Sequence, residues 1–115
     1  MQGYYYAGKY WEVVRLWEAT KNNNLVDVNI DMFIKHENYW NIGTFKDIAE
    51  ELKLVLNADY SYPIIINEKN EIIDGAHRIV HAYLDGMHTI KAVIIDNDQW
   101  PEPDYDESKA VKAVK

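Results

Sequence analysis

The sequence predicts an α+β domain, a small mixed β-sheet with helices packed against it. Three observations carry this. Val26, Val28 and Ile30 alternate with Asp27 and Asn29, the period of a strand with one buried face. Pro63-Ile64-Ile65-Ile66 is an unbroken apolar run, as expected of a strand covered on both faces. Between these, Phe45, Ile48, Ala49, Leu52 and Leu56 recur at helical spacing and predict a buried helix stripe. A length of 115 residues suits one domain, and 48% apolar content with nine Tyr and four Trp is enough to form a core.

The elements follow in order. Residues 1–8 are aromatic and show no clear period. Lys9 to Thr20 reads as a helix with Tyr10, Val13, Val14 and Trp17 on one apolar stripe, widened by Trp11 and Leu16, and Lys21-Asn22-Asn23-Asn24 ends it. The Val26–Ile30 strand comes next. A loop runs from about Asp31 to Gly43, with Tyr39 and Trp40 expected against the body. Thr44 starts the second helix as an N-cap, and Asp47 completes a capping box. Asn57-Ala58-Asp59 is its exit. The Ile64–Ile66 run, the turn Asn67-Glu68-Lys69-Asn70 and Glu71-Ile72-Ile73 read as a hairpin. A helix from Ala76 to Asp85 follows, closed by Gly86 at the position that favours positive φ. Ile90 to Ile95 is a further buried strand. The chain therefore divides into a helical extension over 1–24, a main domain over 25–96 and an acidic, proline-containing tail over 97–115.

Composition narrows the functional classes. With 12 Lys and Arg against 19 Asp and Glu, the net charge is −7, which disfavours general nucleic-acid binding. The absence of cysteine excludes disulfides, thiolate chemistry and cysteine metal sites. The N-terminus lacks the pattern of a signal peptide, and no apolar run approaches the ~20 residues of a membrane span. The expected location is the cytoplasm, with no membrane partner.

The segment Ile72-Ile73-Asp74-Gly75-Ala76-His77-Arg78 carries the chemistry. A strand ends, an acid and a glycine turn the chain, and a helix opens at once. A helix start leaves backbone N–H groups unpaired and carries partial positive charge, so it attracts phosphate. Gly75 allows close approach of an anion. His77 and Arg78 add donors in the first turn, and a guanidinium fork matches two phosphate oxygens. Asp74 is read either as a helix cap or as a partner for a nucleotide's metal ion. Plain capping by Asp-Gly, a surface ion pair at Arg78 and a hydrogen-bonded His77 form the simpler account of the same residues.

Tyr62-Pro63-Ile64-Ile65-Ile66, Ile72-Ile73-Asp74-Gly75-Ala76-His77-Arg78 and Ile90-Lys91-Ala92-Val93-Ile94, in this order over about Val26 to Ile95, resemble the ParB/sulfiredoxin superfamily. The nearest likeness is to ParB N-terminal-type domains and to small phage-encoded ParB-like proteins. The resemblance implies phosphate or nucleotide handling at Asp74, Gly75, Ala76, His77 and Arg78. The implied cofactor is a nucleoside di- or triphosphate with Mg²⁺, and the implied chemistry is phosphoryl transfer or nucleotide hydrolysis. Ala76 stands where sulfiredoxins carry a catalytic cysteine and ParB proteins a glutamate, which excludes sulfiredoxin activity and leaves the catalytic residues unassigned. The long DNA-binding helical region of ParB has no counterpart in the roughly 20 residues after the last strand.

Other groupings carry less. His77 and His81 share a helix face with His88 nearby, but Arg78 breaks any His-Glu-x-x-His pattern, so no metal site is assigned. Asp27, Asp31, Glu37 and His36 are candidates for an acid or base near the turn, as related serine kinases use an early acid; solvated surface groups are the alternative. The aromatic stripe of residues 10–17 either packs on the domain or forms a dimer or partner surface. The segment from Trp100 to Glu107 either docks a partner or covers a sheet edge. The leading functional expectation is a phosphate- or nucleotide-binding ParB-like domain. The second is a non-catalytic phage accessory protein that binds a host protein. The third is a ParB-like nuclease or DNA-associated protein, which the charge disfavours.

Overall fold

In a computed structural model, the described residues are 3–35 and 43–109. The chain opens with a β-hairpin rather than a helix. Strands β1 (Gly3–Tyr6) and β2 (Lys9–Glu12) pair antiparallel, with Tyr4 opposite Trp11 and Tyr5 opposite Tyr10. The two-residue turn places Ala7 and Gly8 at φ 51° and 77°, the backbone that matches the twist of a tight hairpin. The predicted Lys9–Thr20 helix is thus corrected. Only Val13–Ala19 is helical (α1), and the extension over 1–24 begins as a hairpin. Cross-strand aromatic contact is what favours the extended form, with Tyr5 and Tyr10 ring centroids 4.6 Å apart. The predicted stripe splits accordingly: Trp11 is buried from a strand, while Val14 is exposed on the helix.

The main sheet is mixed, as the sequence predicts. Strands β3 (Val26–Asn29), β4 (Ile64–Asn67), β5 (Ile72–Asp74) and β6 (Thr89–Ile95) lie in the order β3-β6-β4-β5. β6 runs antiparallel to β3 and parallel to β4, and β4 and β5 form the expected hairpin. Ile64, Ile65 and Ile66 are all fully buried. Ile64 and Ile66 join Ile72, Ile79, Ile90, Ala92 and Phe33 in one core. Ile65 joins Ile73, Val93 and Ile95 with Trp11 and Leu16 in a second. The continuous apolar run is explained: helices α2 (Asp31–Ile34) and α4 (Ala76–Leu84) cover one sheet face, and the N-terminal module covers the other.

Both ends of α4 are built by glycine. Gly86, at φ 79°, closes it, where its N–H bonds to the Tyr83 carbonyl and that of Met87 to Ala82, a Schellman arrangement. Helix α3 (Phe45–Asn57) starts with the predicted capping box between Thr44 and Asp47. Its predicted buried stripe is not buried. Phe45, Ile48, Ala49, Leu52 and Leu56 are exposed, and Val55 is the helix's buried residue. Glu51 and Val55, on a different face, are the residues turned toward the domain. The segment predicted as loop from Asp31 contains the short α2, while His36, Glu37, Tyr39 and Trp40 lie outside the described residues.

The tail returns to the N-terminal hairpin. After a 3₁₀ turn at Asn97–Gln99, β7 (Tyr105–Asp106) pairs with β2, completing a three-stranded sheet β1-β2-β7. Trp11 Nε1 donates to the Pro101 carbonyl at 2.8 Å, Arg15 to that of Glu102 at 2.7 Å, and the Asp104 N–H to that of Tyr10 at 2.8 Å. The sheet-edge alternative for residues 100–107 is therefore the arrangement observed. Among the described residues no helix is long and apolar enough to cross a membrane.

Candidate functional site

The junction of β5 and α4 opens onto a cavity of about 710 Å³. Asp74, Gly75, Ala76, His77 and Arg78 all line it. β5 delivers Asp74 at the edge of the sheet. Gly75 then turns the chain with φ 117°, a conformation that L side chains rarely adopt. A Cβ at this position would collide with Ile64 Cγ2, so the glycine is required both for its backbone and for its proximity to β4.

Asp74 does not cap α4, which corrects that half of the sequence expectation. The N-cap is Gly75 and no side chain caps the helix. Asp74 Oδ2 instead accepts a hydrogen bond from Trp17 Nε1 at 2.8 Å and lies 3.6 Å from Arg78 Nη1. Arg78 also donates to the Pro63 carbonyl at 3.1 Å, and its guanidinium carbon lies 5.9 Å from the Trp17 ring centroid. The guanidinium is therefore held in one place at the cavity wall by a carboxylate, a carbonyl and an aromatic ring.

His77 reaches toward α3, with Nε2 donating to Glu51 Oε2 at 2.9 Å. His81, one turn on, donates from Nδ1 to the Ala58 carbonyl at 2.7 Å and packs edge-on against Tyr60. These bonds fasten α4 to the middle of α3 and to its C-cap residue. Asp59 also lines the cavity. The Ser61 hydroxyl and then the Ser61 N–H hold its carboxyl below the usual aspartate range, with further help from the Arg78 guanidinium. Tyr4, Tyr5 and Tyr62 also line the cavity, with Val13 and Leu54.

The other predicted candidates do not converge here. Asp27 pairs with Lys91 at 2.8 Å on β3, the edge strand opposite β5, and Asp31 follows on the same side. His88 lies beside β3, where its carbonyl accepts from the Ile30 N–H, away from His77 and His81. Among the described residues no group of three His, Asp or Glu is placed to hold a metal ion. His36 and Glu37 are outside the described residues.

Four participants were not singled out for the site from sequence. Glu51, Asp59, Trp17 and Tyr62 reach it through tertiary packing. Tyr62, directly before the Pro63–Ile66 run, and Asp59, in the connection out of α3, carried a positional signal. Trp17 lies 57 residues from Asp74 and carried none. Comparison with known proteins found no match to a family model, to a curated protein or to a solved structure.

Proposed function

We propose that the β5–α4 cavity binds a phosphate-bearing ligand of nucleotide size in a ParB/sulfiredoxin-like domain. One observation carries this reading: the Gly75–Arg78 turn, a helix start with a fixed guanidinium, lines a cavity of about 710 Å³ instead of packing into the core. That volume lies within the range of small-molecule sites, roughly 300–1,000 Å³. The amides of the first turn of α4 and Arg78 supply the phosphate end. Tyr5 and Tyr62 supply aromatic surface on which a base can stack. The mixed sheet, with its hairpin leading into a glycine turn, supports the superfamily resemblance.

Asp59 and Asp74 add carboxylates to the lining of the same cavity. They fit a ligand that arrives with Mg²⁺, whose preferred donors are hard oxygens. Ala76 offers no side-chain chemistry, so the reading is binding first. Any turnover would rest on positioning and charge stabilisation by Arg78 and the helix start.

Titration calorimetry with nucleoside triphosphates and Mg²⁺ tests this. Wild-type protein binds at least one of them, and Arg78→Ala weakens binding by about tenfold or more, the cost of losing a charged hydrogen bond. Circular dichroism on the same sample checks that the variant is folded. Equal affinity in wild type and a folded Arg78→Ala overturns the proposal.

A second reading, a binding module for a protein partner, is favoured by the exposed apolar face of α3. Phe45 is 93% exposed, and Ile48, Leu52 and Leu56 are about half exposed. Capture of a partner by wild type that is lost in Phe45→Asp, with flat nucleotide titrations, would support it over the first.

A further inference from the structure

A second cavity lies where the N-terminal hairpin, the β4–β5 turn and the tail meet, and it shares Tyr4 alone with the lining of the proposed phosphate site. It measures about 290 Å³. Tyr4 and Tyr6 from β1, Trp11 from β2 and Trp100 from the tail line it. The rings are not parallel. Trp11 and Trp100 meet edge-on with centroids 4.9 Å apart and planes at 62°, and Tyr4 lies 5.6 Å from Trp100 at 40°. They form the walls of a corner rather than a stack. Trp11 is fixed by its 2.8 Å bond to the Pro101 carbonyl.

The β4–β5 turn adds two carboxylates and one ammonium to the lining. Glu68 and Glu71, from the β4–β5 turn, line the same space and are exposed. Each is steadied through one oxygen: Glu68 Oε1 accepts from the Asn97 N–H at 2.8 Å and Glu71 Oε1 from Asn67 Nδ2 at 2.9 Å. Burial, followed by the negative charge of Glu71, holds the Tyr4 hydroxyl above its ordinary range, which places that carboxylate's field at the aromatic wall. Lys69 also borders the cavity from the same exposed turn.

We infer that this corner, Tyr4, Tyr6, Trp11 and Trp100 with Glu68 and Glu71, is a binding site for a trimethylammonium group. Aromatic faces attract a cation through their quadrupole, and the attraction grows when water is excluded. A primary ammonium would have to give up strong hydration against the four rings. A quaternary ammonium is weakly hydrated, has no N–H to satisfy and needs only ring faces and a negative field. The cavity is close to the lower limit for ligand sites, so it fits a headgroup or one side chain rather than a whole cofactor. The group could be carried by a free small molecule such as choline or by a trimethyllysine side chain.

Intrinsic tryptophan fluorescence of the full chain tests this with three probes: choline, a short trimethyllysine peptide, and 3,3-dimethylbutanol, the uncharged isostere of choline. Sodium chloride at matched concentration controls for ionic strength. The expected result is a saturable change with at least one cationic probe and about tenfold weaker binding of the isostere. Tighter binding of the peptide identifies a methylated protein as the source; tighter binding of choline identifies a free metabolite. Trp100→Leu should abolish the change. Because Trp100 also packs on the second core, the double variant Glu68→Gln with Glu71→Gln provides a separate check. It keeps the Oε1 acceptors, leaves the rings untouched and should weaken the cation about tenfold while leaving the isostere unchanged. No saturable signal with either cation, equal binding of the isostere, or unchanged affinity in the double variant overturns the inference.

Discussion

Asp74 joins three parts of the molecule through one carboxylate. It ends β5, accepts the Trp17 indole N–H and faces Arg78. The next residue cannot be changed. Gly75→Ala forces a side chain into positive φ and against Ile64, so we expect it to destabilise the fold by about 2–4 kcal/mol in urea denaturation, with loss of phosphate-ligand binding. Acid sensitivity also belongs to single carboxyls. Asp59, Asp104 and Asp106 are each held below the ordinary aspartate range, chiefly by hydrogen bonds from the Ser61 hydroxyl, the Glu12 N–H and the Ser108 hydroxyl respectively. A folded value below the unfolded one stabilises the fold fully above the unfolded value of about 3.9. That contribution is lost as pH falls from there through the lower folded values. The urea midpoint should therefore drop below about pH 4, and Asp104→Asn should flatten the drop. At this scale the glycine turn was legible in the sequence because one residue type satisfies a backbone requirement. The Trp17–Asp74 bond was not, because nothing local to either residue specifies a partner so far along the chain.

Helix α3 and the N-terminal hairpin show where periodicity informs and where it misleads. The capping box at Thr44 and Asp47 was legible because it is a contact between neighbours. The stripe from Phe45 to Leu56 was read correctly as one apolar helix face and incorrectly as buried. Spacing identifies a face without saying what covers it. Leu52→Ser should accordingly change stability by no more than about 0.5 kcal/mol, whereas a core truncation such as Ile65→Ala should cost about 2–5 kcal/mol. Chemical denaturation of the two variants side by side checks the contrast. Residues 9–20 failed differently. Tyr10, Val13, Val14 and Trp17 fit a helical period, yet the first belongs to a strand. The turn that makes the hairpin puts Ala7 at positive φ, and alanine does not advertise that conformation as asparagine does.

Across the whole molecule, the main sheet is stable only with both faces covered. The Ile64–Ile66 run announced this in the sequence, but what covers the second face could not be read because Trp11 and Leu16 come from a module some 50 residues earlier in the chain. A chain lacking residues 1–24 would uncover Ile65, Ile73, Val93 and Ile95 together. We expect it to aggregate or to bind hydrophobic dye, seen by size-exclusion chromatography and dye fluorescence, instead of behaving as an independent domain. The α+β class and a mixed sheet were legible because they follow from local patterns in sequence order, whereas the strand order β3-β6-β4-β5 was not. The second, three-stranded sheet was not, since β7 has two residues and pairs with β2 across most of the chain.

That pairing of Lys9 with Asp106 has a consequence for biogenesis. During translation the hairpin is made well before the strand that completes its sheet, because the paired residues Lys9 and Asp106 are far apart along the chain. Until then β2 presents an open edge, and Trp11 lacks the carbonyl that receives its indole N–H. In that interval a waiting chaperone or a neighbouring nascent chain can compete for the same edge.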